Sequence, residues 1–271
     1  MINGINSREM ILEILLEIEE GEHSHVAIRN ALSKYQFLPK QDRAFITRVC
    51  EGTLEYRIQI DYIINSFSKV TVDKMKPAIR EILRSAVYQL KYMDSVPDSA
   101  VCNEAVKLAQ RKGFYNLKPF VNGVLRTIAR EMDQVRFPQK EDDLLKYLSV
   151  KYSMPEVLVT RWLEAYGEET TEKILADFLM EHPLTIRCRT YLNSKEEVIK
   201  SLESQGVHVA PAPYLPYAYS ISEFNHILAL DAFIKGKIVV QDVSSMLVAE
   251  VADPKKGDYV IDVCAAPGGK S

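Results

Sequence analysis

The spacing of apolar residues constrains this chain more than any other feature: it is helical over the first two-thirds and changes abruptly at Pro183. Asn6 and Glu9 have the spacing of a capping box. Behind them Ile11, Ile14, Leu15 and Ile18 recur at i, i+3, i+4, i+7 and predict an amphipathic helix. A second helix is expected over Val26–Lys34. After Pro39 a long one follows, with Phe45, Val49, Gly52, Tyr56, Ile60 and Ile63 as its stripe. Gly52 costs such a helix about 1 kcal/mol relative to Ala, so its expected purpose is close approach by another helix. Pro77–Tyr92, with Ile79, Leu83, Val87 and Leu90 on one side, Asp98–Lys112 ending at Gly113, and Pro119–Glu131 complete an all-α bundle.

A polar stretch, Met132–Glu141, interrupts this pattern. Ser153, Pro155 and Glu156 then open another helix, which Gly167 is expected to close. Past Pro183 the period is two: Leu184, Ile186 and Cys188 alternate with Thr185, Arg187 and Arg189, the pattern of a half-buried strand. Ser194 and Glu197 cap a short helix that stops at Gly206, and Val207–Ala210 reads as another strand. This strand–helix–strand order predicts an α/β module. Pro211 and Pro213 lead into Tyr214, Tyr217 and Tyr219, expected on an edge strand. A strand over Lys237–Val240, a helix over Ser244–Val251 and a strand over Tyr259–Val263 follow.

With 271 residues, 47% hydrophobic and 26% charged, the chain can build about two globular domains. It has no run of roughly 18 uncharged apolar residues. The start, Met1 to Glu22, is acidic and amphipathic, unlike a signal peptide, so a soluble cytoplasmic protein is expected. Cys50, Cys102, Cys188 and Cys264 are scattered away from the five histidines, which argues against a disulfide frame or a metal site. Residues 1–140 hold 21 Lys and Arg against 17 Asp and Glu, whereas residues 141–271 hold 13 against 20. A mildly basic first half permits an anionic partner.

One segment carries chemistry. From Pro254 through Val263 an apolar stretch runs into Cys264, Ala265, Ala266, Pro267, Gly268, Gly269 and Lys270. Small residues and paired glycines let a backbone turn tightly and approach a ligand, so Cys264–Lys270 is a candidate cofactor loop. An ordinary strand-to-helix turn is the plain alternative. A phosphate-binding loop fits at Gly269-Lys270-Ser271, but Cys264 stands where its first glycine belongs. A pocket for S-adenosylmethionine has no pyrophosphate to wrap and asks only for small residues.

These residues resemble a known family. Asp262-x-Cys-Ala-Ala-Pro-Gly-Gly-Lys-Ser271 is similar to the first cofactor motif of the RNA cytosine-C5 methyltransferases of the Nol1/Nop2/Sun family. Gly236 with Val240-Gln-Asp-Val-Ser-Ser245 is similar to the segment leading into their catalytic domain. Asp42-Arg43, Gly52-Thr-Leu54, Ile82-Leu83, Tyr88-Gln89-Leu90, Val96-Pro97, Glu104-Ala-Val106 and Phe120-Val-Asn-Gly-Val-Leu-Arg126 resemble a NusB-like RNA-binding domain. The resemblance covers essentially the whole chain. It implies a multidomain protein: an all-α NusB-like bundle over 1–140, a helical linker with a small α/β module over 141–235, and the start of a Rossmann-like methyltransferase domain over 236–271. It also implies S-adenosylmethionine as cofactor, held by Cys264, Ala265, Ala266, Pro267, Gly268, Gly269 and Lys270, and 16S ribosomal RNA as partner.

In the family a cysteine thiolate adds to C6 of cytosine so that C5 can attack the methyl group, and a second cysteine assists release. Those cysteines belong to a Pro-Cys and a Thr-Cys pair. None of the four here has such a neighbour, so no catalytic residue is assigned, and these 271 residues are expected to be an inactive amino-terminal portion. The second reading is a NusB-like RNA-binding or antitermination module without catalysis. Arg187 and Arg189 stand between RNA contact and plain solvation, as do Lys69, Lys74, Lys76, Arg80 and Arg84. Tyr214, Tyr217 and Tyr219 stand between base stacking and packing.

Overall fold

The computed structural model describes residues 6–35, 38–180, 182–224, 226–266 and 268–269. It divides into two compact units, Met1–Leu179 and Met180–Ser271. The helical part of the 141–235 stretch falls in the first unit and its strands in the second.

The first unit is helical, as its period predicts. In chain order it contains α1 (Ser7–Glu19), α2 (Ser24–Lys34), α3 (Lys40–Glu55), α4 (Arg57–Phe67), α5 (Pro77–Tyr92), α6 (Asp98–Arg111) and α7 (Lys118–Glu131). One continuous apolar core runs through all seven, with Leu12, Ile46, Ile60, Ile63, Ile64, Leu83 and Leu125 fully buried. Asn6 caps α1 by accepting from the Arg8 amide at 2.9 Å. Glu9 does not return the bond of a capping box; it faces Lys112 at 3.3 Å.

The long helix expected after Pro39 is two. At Tyr56 (φ −92°, ψ 16°) the backbone leaves helical geometry between α3 and α4, with the Tyr56 ring 4.3 Å from that of Tyr92. The apolar stripe keeps its phase across the break, so periodicity alone could not reveal it. Gly52 admits the close approach expected of it: the phenol ring of Tyr88 on α5 occupies the space where a Cβ would stand.

Helix α5 is buried on nearly every side, which its polar residues disguise in sequence. Arg84 donates to both carboxylate oxygens of Asp61, at 2.7 and 2.6 Å, and to Glu81 at 2.6 Å. Gln89 accepts from Arg8 at 3.0 Å and donates to the Ser85 carbonyl at 2.8 Å. Buried polar groups satisfied in this way cost little, so a helix can be central without being apolar all round.

Two further helices, α8 (Leu144–Lys151) and α9 (Glu156–Phe178), pack on each other around Leu148, Val159 and Leu175. Gln59 of α4 closes the end of α8 by donating to the Val150 and Lys151 carbonyls, both at 3.1 Å. Ser153 is not a helix cap; its hydroxyl accepts from the Ile58 amide at 3.1 Å, a bond that ties it to the start of α4. Gly167 interrupts α9 with φ 72° and ψ 175°, a conformation open to glycine, and helix resumes beyond it.

The second unit contains β1 (Leu184–Cys188), α10 (Lys195–Glu203), β2 (His208–Pro211), β3 (Ala218–Ser222), α11 (Asp231–Ile234), β4 (Ile238–Val240) and α12 (Val243–Ala252). The sheet order is β2-β3-β1-β4 and each pairing is antiparallel, with Ile186 opposite both Tyr219 and Val240. The expected strand–helix–strand order is present as β1-α10-β2; β1 and β2 run parallel, and β3 lies between them, making a split β-α-β unit. Of the three tyrosines expected on an edge strand, only Tyr219 lies in a strand, β3, which is interior; Tyr214 and Tyr217 precede it. Its apolar partners Ile186, Cys188, Val198, Leu202, Ile221 and Ile238 make a small core on one face.

A further correction concerns Tyr259–Val263, where no strand forms; the backbone is irregular and Tyr259, Val260, Ile261 and Val263 are exposed. An apolar run of this kind acquires strand geometry only between hydrogen-bonded neighbours, and none lies beside it here. The sheet expected at the start of a Rossmann-like domain therefore does not form among the described residues.

Candidate functional site

The Asp262–Gly269 loop folds by local hydrogen bonds. Asp262 accepts from the Cys264 amide at 2.9 Å, and the Gly268 amide donates to the Ala265 carbonyl. Gly268 adopts φ +94°, which explains glycine there. A Cβ added at Gly268 or Gly269 would meet nothing within 4 Å, so protein packing does not explain either glycine. Open backbone beside small residues fits a cofactor's approach. Cys264, Ala265, Ala266, Gly268 and Gly269 are exposed together on this loop, whereas Pro267 and Lys270 lie outside the described residues.

The side chain that fixes the loop was not among those the sequence singled out for this role. Gln241, immediately after β4, is only 6% exposed, and its Nε2 donates to the Gly269 carbonyl at 2.9 Å. Its own amide donates to the Thr185 carbonyl of β1 at 3.1 Å, so the loop is tethered to the sheet. The signal was a glutamine following directly on an apolar strand, within Val240-Gln-Asp-Val-Ser-Ser245.

The cysteines separate by environment. Cys50, Cys102 and Cys188 are buried, and burial raises all three thiols above the usual range, Cys188 to about 11. They are poor sources of thiolate at neutral pH and serve as core residues. Cys264 is exposed in the loop. Among the described residues, no group of three or more His, Cys, Asp or Glu side chains is placed to hold a metal ion, and no helix is long and apolar enough to cross a membrane.

The basic and aromatic candidates are held in different ways within each unit. Arg84 and Arg80 are structural, Arg84 through Asp61 and Glu81, Arg80 through Glu19 and the Val72 carbonyl. Lys69, Lys74 and Lys76 remain exposed. Arg189 donates to the Gly236 carbonyl at 3.3 Å. Tyr214 is 83% exposed in a turn, Tyr217 donates to Glu250, and Tyr219 is buried in the sheet core.

Comparison with known proteins assigns the parts. Residues 5–130 match the NusB family, and residues 154–227 match the Methyltr_RsmF/B-like, ferredoxin-like domain. The chain is 34% identical to the probable ribosomal RNA small subunit methyltransferase B of Bacillus subtilis (strain 168), over 97% of this chain and 58% of that protein. It is 31% identical to the protein described in the same words from Synechocystis sp. (strain ATCC 27184 / PCC 6803 / Kazusa), over 98% of this chain and 60% of that one. The crystal structure of PH0851 is similar with a TM-score of 0.72 and 27% identity, covering 98% of this chain and 60% of that chain. The chain thus spans about three-fifths of the length of the proteins it matches.

Proposed function

We propose that this chain, which belongs with the RsmF/B-like methyltransferases through its NusB-family and ferredoxin-like domains, presents 16S ribosomal RNA for S-adenosylmethionine-dependent methylation of a cytosine at C5 in the cytoplasm. The observation that carries the reading is the Cys264–Gly269 loop: small, open to solvent at both glycines, and tethered through Gln241 to the sheet. Cys264, Ala265, Ala266, Gly268 and Gly269 would line the cofactor, with Pro267 and Lys270 completing the loop. S-adenosylmethionine would supply an electrophilic methyl group carried on a sulfonium. The chain's own contribution is to hold that loop in register and to bind the RNA through the helical unit, whose fold supports an RNA-binding role.

The test is the 5-methylcytosine content of 16S ribosomal RNA in cells with and without the encoding gene. Its loss on deletion is expected. Restoration is expected from the intact gene but not from one carrying Gly268→Val and Gly269→Val. An unchanged content on deletion overturns the reading and favours an RNA-binding module without catalysis. The 271 residues alone, lacking Pro-Cys and Thr-Cys pairs, should transfer no methyl group; turnover above a heat-killed control contradicts that.

A further inference from the structure

Helix α5 ends beside a cleft whose walls lie mostly beyond the NusB match. Its inner lobe, about 260 Å³, is lined by Gln59, Lys91, Phe137, Pro138, Gln139, Tyr147 and Lys151. An outer lobe of about 620 Å³ shares Phe137, Pro138 and Gln139 and adds Tyr62, Arg136 and Lys146, with Asp142 and Asp143 at its margin. Residues 135–151, which form most of the walls, follow the 5–130 segment.

The inner lobe combines cations with aromatic faces. Lys91 Nζ lies 5.5 Å from the ring centre of Tyr92 and 5.4 Å from that of Phe137. It has no hydrogen bond or ion pair among the described residues, and burial lowers its pKa, with Asp133 opposing at longer range. Lys151 Nζ stands 4.9 Å from the Tyr147 ring centre, donates to the Tyr147 hydroxyl at 2.6 Å and pairs with Glu172 at 3.0 Å. Tyr62 stacks on Phe137 with centroids 5.7 Å apart. No carboxylate lines the inner lobe. A half-buried ammonium such as Lys91, which no carboxylate contacts directly, gains from an arriving anion, and the aromatic residues lining the cavity offer a stacking surface.

We propose that this cleft takes an unpaired RNA nucleotide, its base against Phe137 and Tyr147 and its phosphate beside Lys91 and Lys151. The assignment rests on the RNA-binding reading above and gives it a surface. Duplex RNA is excluded from such a cleft because its bases stay stacked on each other.

The test is fluorescence anisotropy of a labelled single-stranded RNA of mixed sequence with the intact 271-residue chain across a salt series. Lys91→Gln with Lys151→Gln should weaken binding about tenfold and reduce the salt slope by about 0.7, the value for the one single-strand phosphate they share. Phe137→Leu keeps an apolar residue against the core yet removes the stacking face; it should weaken binding at least about fivefold with the slope unchanged. Circular dichroism checks that each variant folds. Lys69→Gln, Lys74→Gln and Lys76→Gln together should bind within twofold of the parent. The proposal is overturned by cleft variants that bind like the parent, by loss confined to the Lys69, Lys74 and Lys76 variant, by duplex binding as tight as single-strand binding, or by no RNA binding at low salt. Each of these outcomes is independent of the 5-methylcytosine measurement, which tests the methylation reading separately.

Discussion

The two units use apolar residues differently. In the first, one core passes through α1 to α7, and its large aliphatic side chains Leu12, Ile46, Ile60, Ile63, Ile64, Leu83 and Leu125 have no exposed surface. In the second, a four-stranded sheet covers a small core with one long face, while Tyr259, Val260, Ile261 and Val263 stay in solvent. Helices close their hydrogen bonds within themselves and need only a face to bury, whereas strands need partners before they have any structure. A helical segment can therefore be placed from its own sequence, and a strand only from its neighbours.

The largest effect should come from emptying the first core. Leu83→Ala, at a position with no exposure, should cost about 2–5 kcal/mol, read from urea unfolding by far-ultraviolet circular dichroism. A cost under about 1 kcal/mol would mean that the helical core relaxes around cavities and is less tightly packed than the contrast requires. Next is Gly52→Ala, which forces a methyl group against the Tyr88 ring and should cost about 1–3 kcal/mol by overpacking, partly relieved when Tyr88→Leu is added. An Ala at Gly52 that is neutral would remove the reason given for glycine there.

How much of this was legible follows the same division. The boundaries of α5 are those of its sequence pattern, because Pro77 starts it and its stripe never loses phase. Its burial was not legible: Glu81, Arg84 and Gln89 look like a solvent face until Asp61 of α4 and Arg8 of α1 are known as partners of Arg84 and Gln89, with Glu81 paired to Arg84 within the helix. The α3–α4 break at Tyr56 was hidden because both helices keep one stripe. At the candidate site the loop itself was readable from its glycines, while Gln241 was not assigned as its tether, since a hydrogen bond between residues 28 apart leaves no periodic trace. The split of β1 from β2 likewise depended on β3, which the tyrosines and prolines made look peripheral.

The small sheet should respond less than the bundle. Ile221→Val removes one methylene from a fully buried site on β3 and should cost about 0.5–1.5 kcal/mol. The reporter is Cys188 on β1, buried with its thiol raised to about 11 and so doubly protected from alkylation until the sheet opens. Pulsed thiol labelling with peptide mapping follows Cys188 for the second unit and Cys50 and Cys102 for the first. If Ile221→Val changes the protection of Cys50 as much as that of Cys188, the two units do not unfold independently and the comparison between them fails.

The smallest effect should come from the exposed apolar run. Val260 is 66% exposed and Val263 89% exposed, so Val260→Ser removes almost no burial and should leave Cys188 protection within about 0.5 kcal/mol of the parent. Cys264, exposed four residues on, should alkylate in the native protein at the same rate in both. A loss of Cys188 protection above about 1 kcal/mol would mean that Tyr259–Val263 packs on the sheet in solution. A slowed Cys264 would mean that the loop is covered. Either result would move the segment from the exposed class to the buried one, and with it the claim that its strand-like sequence lacks structure because it lacks neighbours.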